Sequence, residues 1–433
     1  MSTTQMKNLE STIEKLERRI KKIKENPDPT KLKSNLMLYE LERDNAIGEL
    51  EDMKAGKPFA RGSPGLLLRA MGFSSGGGGN ADRTAQGEGS TRYLDLLRDG
   101  GWPELACDRT VVSILLTTEA DCAKPNFVSV CNQACEFTAY NAHAMAQMVK
   151  VPYFVVDIGN DVDDENLRYV TDQLGEMIEY IEAKVPGTRY DEAKLIELQH
   201  YDRQMSDVLR ETYEFRKRRP SPVNPRDAQR EQGPMGGHRF PQRCLEYMKA
   251  QRDELFERAE KGIGVMAEER LRLMWTTVGI NHDESIYKWL EEQGVALFYV
   301  WGMFAHNLGL RGGYYGDLWN GRKLTPLEEE TRAEFYNSWN GRGQRLIDDW
   351  GFVAREQAVD GVVYVLQPGC LQTLNLRKPF ADAMEKAGLP TLSMEIRGIF
   401  KEGYSQKDVK AKLSNFIEIC LANKQAKGGA ASS

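Results

Sequence analysis

Met6, Leu9, Ile13, Leu16, Ile20 and Ile23 recur at alternating spacings of three and four, with Lys, Arg and Glu between them. That period puts the apolar positions on one narrow seam and predicts a helix over about residues 5–26. Asn26-Pro27-Asp28-Pro29 ends it, because proline offers no amide donor and clashes with the preceding turn. A second helix with a looser seam (Leu36, Tyr39, Ile47, Leu50) is predicted to about Met53. Residues 1–55 thus read as an N-terminal helical hairpin, either a clasp on the same chain or a docking surface for another subunit. Residues 56–94 read as a Gly-rich linker region, since the run from Gly72 to Gly89 is mostly glycine and small polar residues that build no core.

From Thr110 the pattern changes to short apolar runs separated by amphipathic stretches. Val111–Leu116, Phe127–Val130 and Tyr153–Val156 have strand length and β-branched or aromatic content. A helix beginning near Asp164 carries Leu167, Val170, Leu174, Ile178 and Ile181 on one face, as a helix covering a sheet does. Residues 95–190 therefore read as a first α/β domain. Residues 191–262 read as a helical connector, broken over 216–227 by Pro220, Pro222 and Pro225. Strand-like runs resume at Leu271–Val278, Val295–Val300, Gly361–Leu366 and Thr391–Met394, which makes 263–423 a second α/β domain; 424–433 is expected to fray as a tail. The fold class is α/β, with two Rossmann-like parallel-sheet domains, a helical connector and the N-terminal hairpin.

A chain of 433 residues is long enough for several cores. Hydrophobic residues at 41% and charged residues at 28% are the mix of a folded protein in water. The net charge of −6 gives no general attraction to nucleic acid, and no apolar run reaches the roughly 18 residues that span a bilayer, so neither partner is expected. The charged N-terminus lacks the apolar core of a secretory signal, which points to the cytoplasm. In that reducing compartment seven cysteines, at 107, 122, 131, 135, 244, 370 and 420, indicate metal binding or burial rather than disulfides. Cys244 and Cys420 fall in amphipathic helices and read as small buried residues.

Ligands of parallel sheets bind beyond the carboxyl ends of the strands, where a loop enters the next helix. Cys135 occupies such a place, after Phe127–Val130 and at a predicted helix start, with Cys131 as an alternative at the same strand end. Cys370 occupies another, after Gly361–Leu366 and a Gln367-Pro368-Gly369 turn. Helix N-termini favour the thiolate form that a metal requires. Cys107, in the turn Gly101-Trp102-Pro103-Glu104-Leu105-Ala106-Cys107, precedes the first predicted strand and is placed to reach the same cleft.

Three stretches resemble, in order, the iron–sulfur subunits of the 2-hydroxyacyl-CoA dehydratases and the ATP-dependent (class I) benzoyl-CoA reductases. The turn ending in Cys107 resembles the family's first ligand turn. Cys131-Asn132-Gln133-Ala134-Cys135, followed by the strand ending in Asp157, resembles its Cys-Asn-x-x-Cys helix start. The strand and turn leading to Cys370, followed by Gly388-Leu389-Pro390-Thr391, resemble the stretch bearing its last cysteine. With weaker likeness at Arg218–Asn224 and Lys261–Gly264, the match spans about residues 95–423. The resemblance implies a [4Fe-4S] cluster on Cys107, Cys135 and Cys370 with one iron left open, where four cysteines are the usual complement. It further implies an oxygen-sensitive complex acting on a CoA thioester by radical reduction or dehydration. The implied partners are a homologous iron–sulfur subunit and a separate ATP-hydrolysing electron donor, which fits the lack of a Lys-Ser or Lys-Thr pair after the glycine run. Within the same resemblance an electron relay or a double-cubane subunit, drawing on Cys122 or Cys131, is the alternative, and outside it a non-catalytic scaffold.

The chain also departs from that family. Ser63 and Pro64 match its substrate loop, but no carboxylate follows them, so elimination of water lacks its usual proton-handling group there. Arg216, Lys217, Arg218 and Arg219 read as solvated surface in preference to a site for CoA phosphates. The five histidines, 143, 200, 238, 282 and 306, show no metal-ligand spacing; His143 reads as structural, and His282 and His306 as cleft residues. The aromatic loop Arg311–Trp319 is expected to wall an acyl pocket or to cap a domain.

Overall fold

A computed structural model describes residues 3–430, apart from 29–30, 75–88, 104–105, 119–123, 133–134, 225–226, 228–238, 281, 302–308, 338 and 340–341. Its frame is two parallel sheets. The first, in the order β1-β2-β3, joins β1 (Ala60–Arg61), β2 (Phe127–Cys131) and β3 (Tyr153–Val156). The second, in the order β5-β4-β6-β7, joins β4 (Leu271–Thr277), β5 (Val295–Trp301), β6 (Gly361–Leu366) and β7 (Thr391–Glu395). Strands β2, β4 and β6 are buried along their whole length, which is why they read as continuous apolar runs rather than alternating ones.

The predicted hairpin is present. Helix α1 (Thr3–Glu25) lies along α2 (Asn35–Lys54). Leu38 and Leu41 of α2 pack with Met205 and Leu209 of α8 (Glu192–Phe215) and with Cys244 and Met248 of α9 (Pro241–Glu260). Glu254 of α9 accepts hydrogen bonds from the amides of Lys33 and Ser34, so the hairpin is clasped to its own chain.

The segment read as linker holds β1 and a short helix, α3 (Gly65–Ala70), and its end begins α4 (Gly89–Asp99); the glycine-rich stretch 75–88 lies outside the described residues. Two residues of strand are too few to register as a pattern. Gly62, directly after β1, has φ +129°, and a Cβ there would stand 1.5 Å from the carbonyl oxygen of Ser129 in β2. Glycine is what allows the chain to leave the sheet so close to its neighbour.

Val111–Leu116 is a correction: it belongs to α5 (Asp108–Thr118), not to a strand. Val111, Val112, Leu115 and Leu116 pack with Ile399 and Phe400, while Ile114 packs with Val128 and Val130 of β2. A helix buried on both sides shows the same unbroken apolar run as a central strand.

Helix α6 (Glu136–Val149) joins β2 to β3, and α7 (Asp164–Lys184) covers the first sheet with the predicted Leu167, Val170, Leu174 and Ile181, and with Met177 buried where Ile178, only part-buried, was expected. The second sheet carries α10 (Ser285–Glu292), α12 (Gly343–Glu356), α13 (Leu371–Lys386) and α14 (Gln406–Ala430). Helix α14 runs on through most of the residues expected to fray; Lys424 donates to Arg270 O and Lys427 to Gly388 O. Trp319 and Phe335, the latter on α11 (Pro326–Phe335), come from between β5 and β6 yet join the core beneath the first sheet with Phe127, Val156 and Leu174. The later half of the chain thereby reaches under the earlier half. Among the described residues no helix is long and apolar enough to cross a membrane.

Candidate functional site

All three predicted thiols sit where a helix begins. Cys135 is the N-cap of α6 and Cys370 the N-cap of α13. The carbonyl of Cys107 accepts from the amides of Thr110 and Val111, both at 3.1 Å, so Cys107 opens α5 in the same way. Two of these helices belong to the first sheet and one to the second.

The thiols are close enough to act on one another. Burial, the larger cause, raises the pKa of Cys135, and the neighbouring Cys107 raises it further. Cys370 is raised mainly by burial and also by Cys135. Against this, the amides of Phe137 and Thr138 stabilise a thiolate at Cys135, and the Thr373 hydroxyl with the amides of Thr373 and Gln372 does so at Cys370. Thiols of this kind stay protonated alone and give up the proton to a bound cation.

Among the described residues no three His, Cys, Asp or Glu side chains are grouped tightly enough to hold a single metal ion. An iron–sulfur cube takes each cysteine on a different iron, so its thiolates stand around a cluster rather than around one ion. Three separated thiols with amide donors fit that group better than a mononuclear centre.

The junction between the sheets is built beside Cys107. Asp108, fully buried, is paired with Arg397 at 3.1 Å and accepts from the amides of Ile399 and Phe400 at 3.4 and 3.3 Å. Gln367, in the turn before Cys370, accepts from the Gly398 amide at 2.7 Å and also bonds to Asp108. One network therefore holds the Cys107 turn, the Cys370 turn and the loop after β7. The loop of Cys135 is held at its other end: Asn132 bonds to Asp157 and accepts from the Ile158 amide at 2.8 Å, and Tyr169 donates to Asp157 at 2.9 Å.

The alternative thiol, Cys131, points the other way. It is buried in the core beneath the first sheet with Phe127 and Leu174, and burial, then Glu334, pushes its pKa well up. Cys122 lies outside the described residues, as do His238 and His306. Burial raises Cys244 and Cys420 to about 12 in their helix cores, in keeping with inert packing residues.

The basic run divides. Arg218 is exposed beside Glu260, and Lys217 pairs with Glu214 and Glu356. Arg219 reaches Glu269 at 3.3 Å, and Arg216 is buried with its guanidinium over the Phe298 ring. Arg216 thus departs from the solvated reading, because the chain turns inward here to meet β4: the buried Arg272 donates to the carbonyls of Arg216 and Arg218, both at 2.7 Å. His143 stacks edge-on against Tyr153, and His282 contacts Arg397 O at 3.1 Å. In the aromatic loop Tyr314, Tyr315 and Leu318 are exposed, while Trp319 is buried against Phe335.

One residue went unread in the sequence. Glu330 of α11 is 4% exposed, accepts from the Leu67 amide at 3.2 Å and from Gln199 Nε2 at 3.3 Å, and floors a cavity of about 70 Å³. The usable signal was its place on the inward face of α11 with Leu327, Thr331 and Glu334, at helical spacing.

A sequence model described as 2-hydroxyglutaryl-CoA dehydratase, D-component, matches residues 63–420. The chain belongs to that family. A search of curated proteins gives no match. The D-component match begins at Ser63 and takes in all three helix-cap thiols, the Asp108 network and Glu330. The clasped hairpin α1–α2 lies before the matched range of this D-component-type chain, a subunit of the 2-hydroxyacyl-CoA dehydratase type.

Proposed function

We propose that this chain carries a [4Fe-4S] cluster on Cys107, Cys135 and Cys370, within an oxygen-sensitive, ATP-activated complex. That complex dehydrates a 2-hydroxyacyl-CoA thioester or reduces an aryl-CoA. The observation that supports this most is that three helix-cap thiols form a chain across the two sheets, Cys107 raising the pKa of Cys135 and Cys135 that of Cys370. When bound, the cluster supplies single low-potential electrons, with one iron open to substrate. The residues of the chain do the rest. Burial around Cys370 keeps water away, and the amides of Phe137, Thr138, Gln372 and Thr373 offset thiolate charge. The Asp108–Arg397–Gln367 network keeps the turns of Cys107 and Cys370 in register.

A homologous iron–sulfur subunit, an ATP-hydrolysing electron donor and a cytoplasmic setting complete the proposal. Anaerobically purified protein is expected to hold roughly four irons per chain, and Ser at 107, 135 or 370 to remove most of them. Iron retained in all three variants refutes the ligand set, and zinc in place of iron favours a scaffold. Perturbation of the cluster's EPR signal by an acyl-CoA in the isolated subunit argues against a mere relay.

A further inference from the structure

Asp108 follows Cys107 in the chain, is fully buried, and is surrounded by donors. Arg397 Nη1 reaches it at 3.1 Å, the amides of Ile399 and Phe400 at 3.4 and 3.3 Å, and the Gln367 side chain from the turn before Cys370. Gln367 Oε1 is taken by the Gly398 amide at 2.7 Å, so the group it turns to Asp108 is its NH2. A protonated carboxyl needs an acceptor for its hydrogen, whereas these four partners all donate. Burial raises the pKa of Asp108, and Arg397, the two amides and Gln367 oppose that rise. The Cys107 turn thus carries a carboxylate, paired with a guanidinium.

Arg397 is held in turn. Its carbonyl accepts from His282 Nε2, in the loop after β4, at 3.1 Å, and its guanidinium lies over the Phe400 ring at 5.7 Å, with the side chain only 13% exposed. A mechanical clamp does not need these charges. A neutral amide at position 108 still accepts from Ile399 and Phe400, and a buried ion pair carries a desolvation cost that neutral partners avoid. Holding a metal group on thiolates does not need them either, because a carboxylate beside a thiolate repels it. What a fixed buried anion does beside three thiolates is oppose the arrival of further negative charge, and net charge is one of the levers on a cluster's potential.

Resting on the cluster reading above, we propose that the Asp108–Arg397 pair sets the reduction potential of the cluster on Cys107, Cys135 and Cys370: the buried carboxylate keeps it low, and Arg397, brought by the loop after β7, partly offsets that charge. The pair acts through its field. One electron accepted from the ATP-driven donor adds one negative charge to a site where burial leaves little screening by water or salt. The more that uptake is opposed, the more strongly the electron is driven on to an acyl thioester. Groups beyond the ligands tune metal sites in this way, through charge, burial and hydrogen bonds, and Asp108 brings both charge and burial to the Cys107 turn.

The test is an EPR-monitored redox titration of the full chain, purified anaerobically and without turnover, with iron measured on the same samples. Asp108→Asn keeps an acceptor for Ile399 and Phe400 and removes the charge, so it should raise the midpoint potential. Arg397→Gln should lower it, D108N/R397Q should lie between D108N and wild type, and R397K should stay near wild type. A clamp without an electrostatic role gives another pattern, with iron lost as the junction loosens, most of all in the double variant, and an unchanged midpoint in the cluster that remains. R397Q leaves a buried anion unpaired and is the variant most exposed to misfolding; D108N and the double variant decide without it. Midpoints in both that match wild type, or loss of iron from both, overturn the proposal and leave Asp108 a clamp. Failure of the cluster reading looks different: wild-type chain holds no iron, or all three cysteine variants keep theirs, and this role for Asp108 falls with it.

Discussion

Replacing Glu330 by Gln should change how stability depends on pH. The carboxyl is raised to about 8 in the folded chain, against roughly 4.3 for an unhindered glutamate. A group raised on folding supports the fold fully below its unfolded pKa, and that support is lost as pH climbs toward the folded value. At about 1.36 kcal/mol per unit, the loss relative to acid pH reaches roughly 1 kcal/mol at pH 5, about 4 kcal/mol at pH 7, and levels off near 5 kcal/mol above pH 8. Domains are typically stable by only about 5–15 kcal/mol, so the effect is large enough to read. The side chain introduced by E330Q still accepts from the Leu67 amide but sets its own amide donor against Gln199, a fixed penalty that does not vary with pH. The readout is therefore the slope. Urea and thermal unfolding of apo wild type and E330Q should show the difference moving in favour of E330Q from pH 5 to 8 and becoming flat beyond. Parallel curves across that range would show that Glu330 is ionised in the fold and would refute the buried-acid argument.

Two further substitutions test the frame around the site. Arg272→Met takes from Glu269, whose side chain is 2% exposed, its closest cation, leaving it Arg219 at 3.3 Å and the Ser221 amide, and unpairs the carbonyls of Arg216 and Arg218; it should destabilise by about 3 kcal/mol, and E269M/R272M should unfold less readily than R272M alone. A double variant as weak as the sum of the singles contradicts that account. Gly62→Ala forces a Cβ to within 1.5 Å of Ser129 O at φ +129°; it should part β1 from β2 and lose on the order of 3 kcal/mol or more, seen as a lowered melting temperature and faster proteolysis near Ser63. Wild-type behaviour in both assays would show that the turn relaxes freely.

What could be read from the sequence was mostly local. Strands β2, β4 and β6 declare themselves because burial on both faces leaves continuous apolar runs, and part-buried β3 and β7 still read as short apolar stretches. The helix-cap places of Cys135 and Cys370 follow from strand, turn and helix in consecutive residues. The matching place of Cys107 was hidden because α5, apolar on both sides, imitates a strand. What escaped depends on distant contacts. Glu330 sits in an acidic stretch, Glu328-Glu329-Glu330, that resembles an ordinary solvated helix start; only the packing of α11 against α3 and α8 buries it. Arg216 belongs to a charged run and is drawn inside by Phe298 and Arg272, both far along the chain.

The Asp108 junction has a consequence for the order of assembly. The turns of Cys107 and Cys370 come into register only once the loop after β7 has closed on the start of α5, and that loop comes after all seven strands in chain order. Until then Cys107 and Cys135 form an incomplete pair without Cys370. Loading of the proposed cluster would therefore wait for β7 and the loop after it, and a chain truncated before Arg397 is left with an unneutralised buried aspartate where that loop should dock.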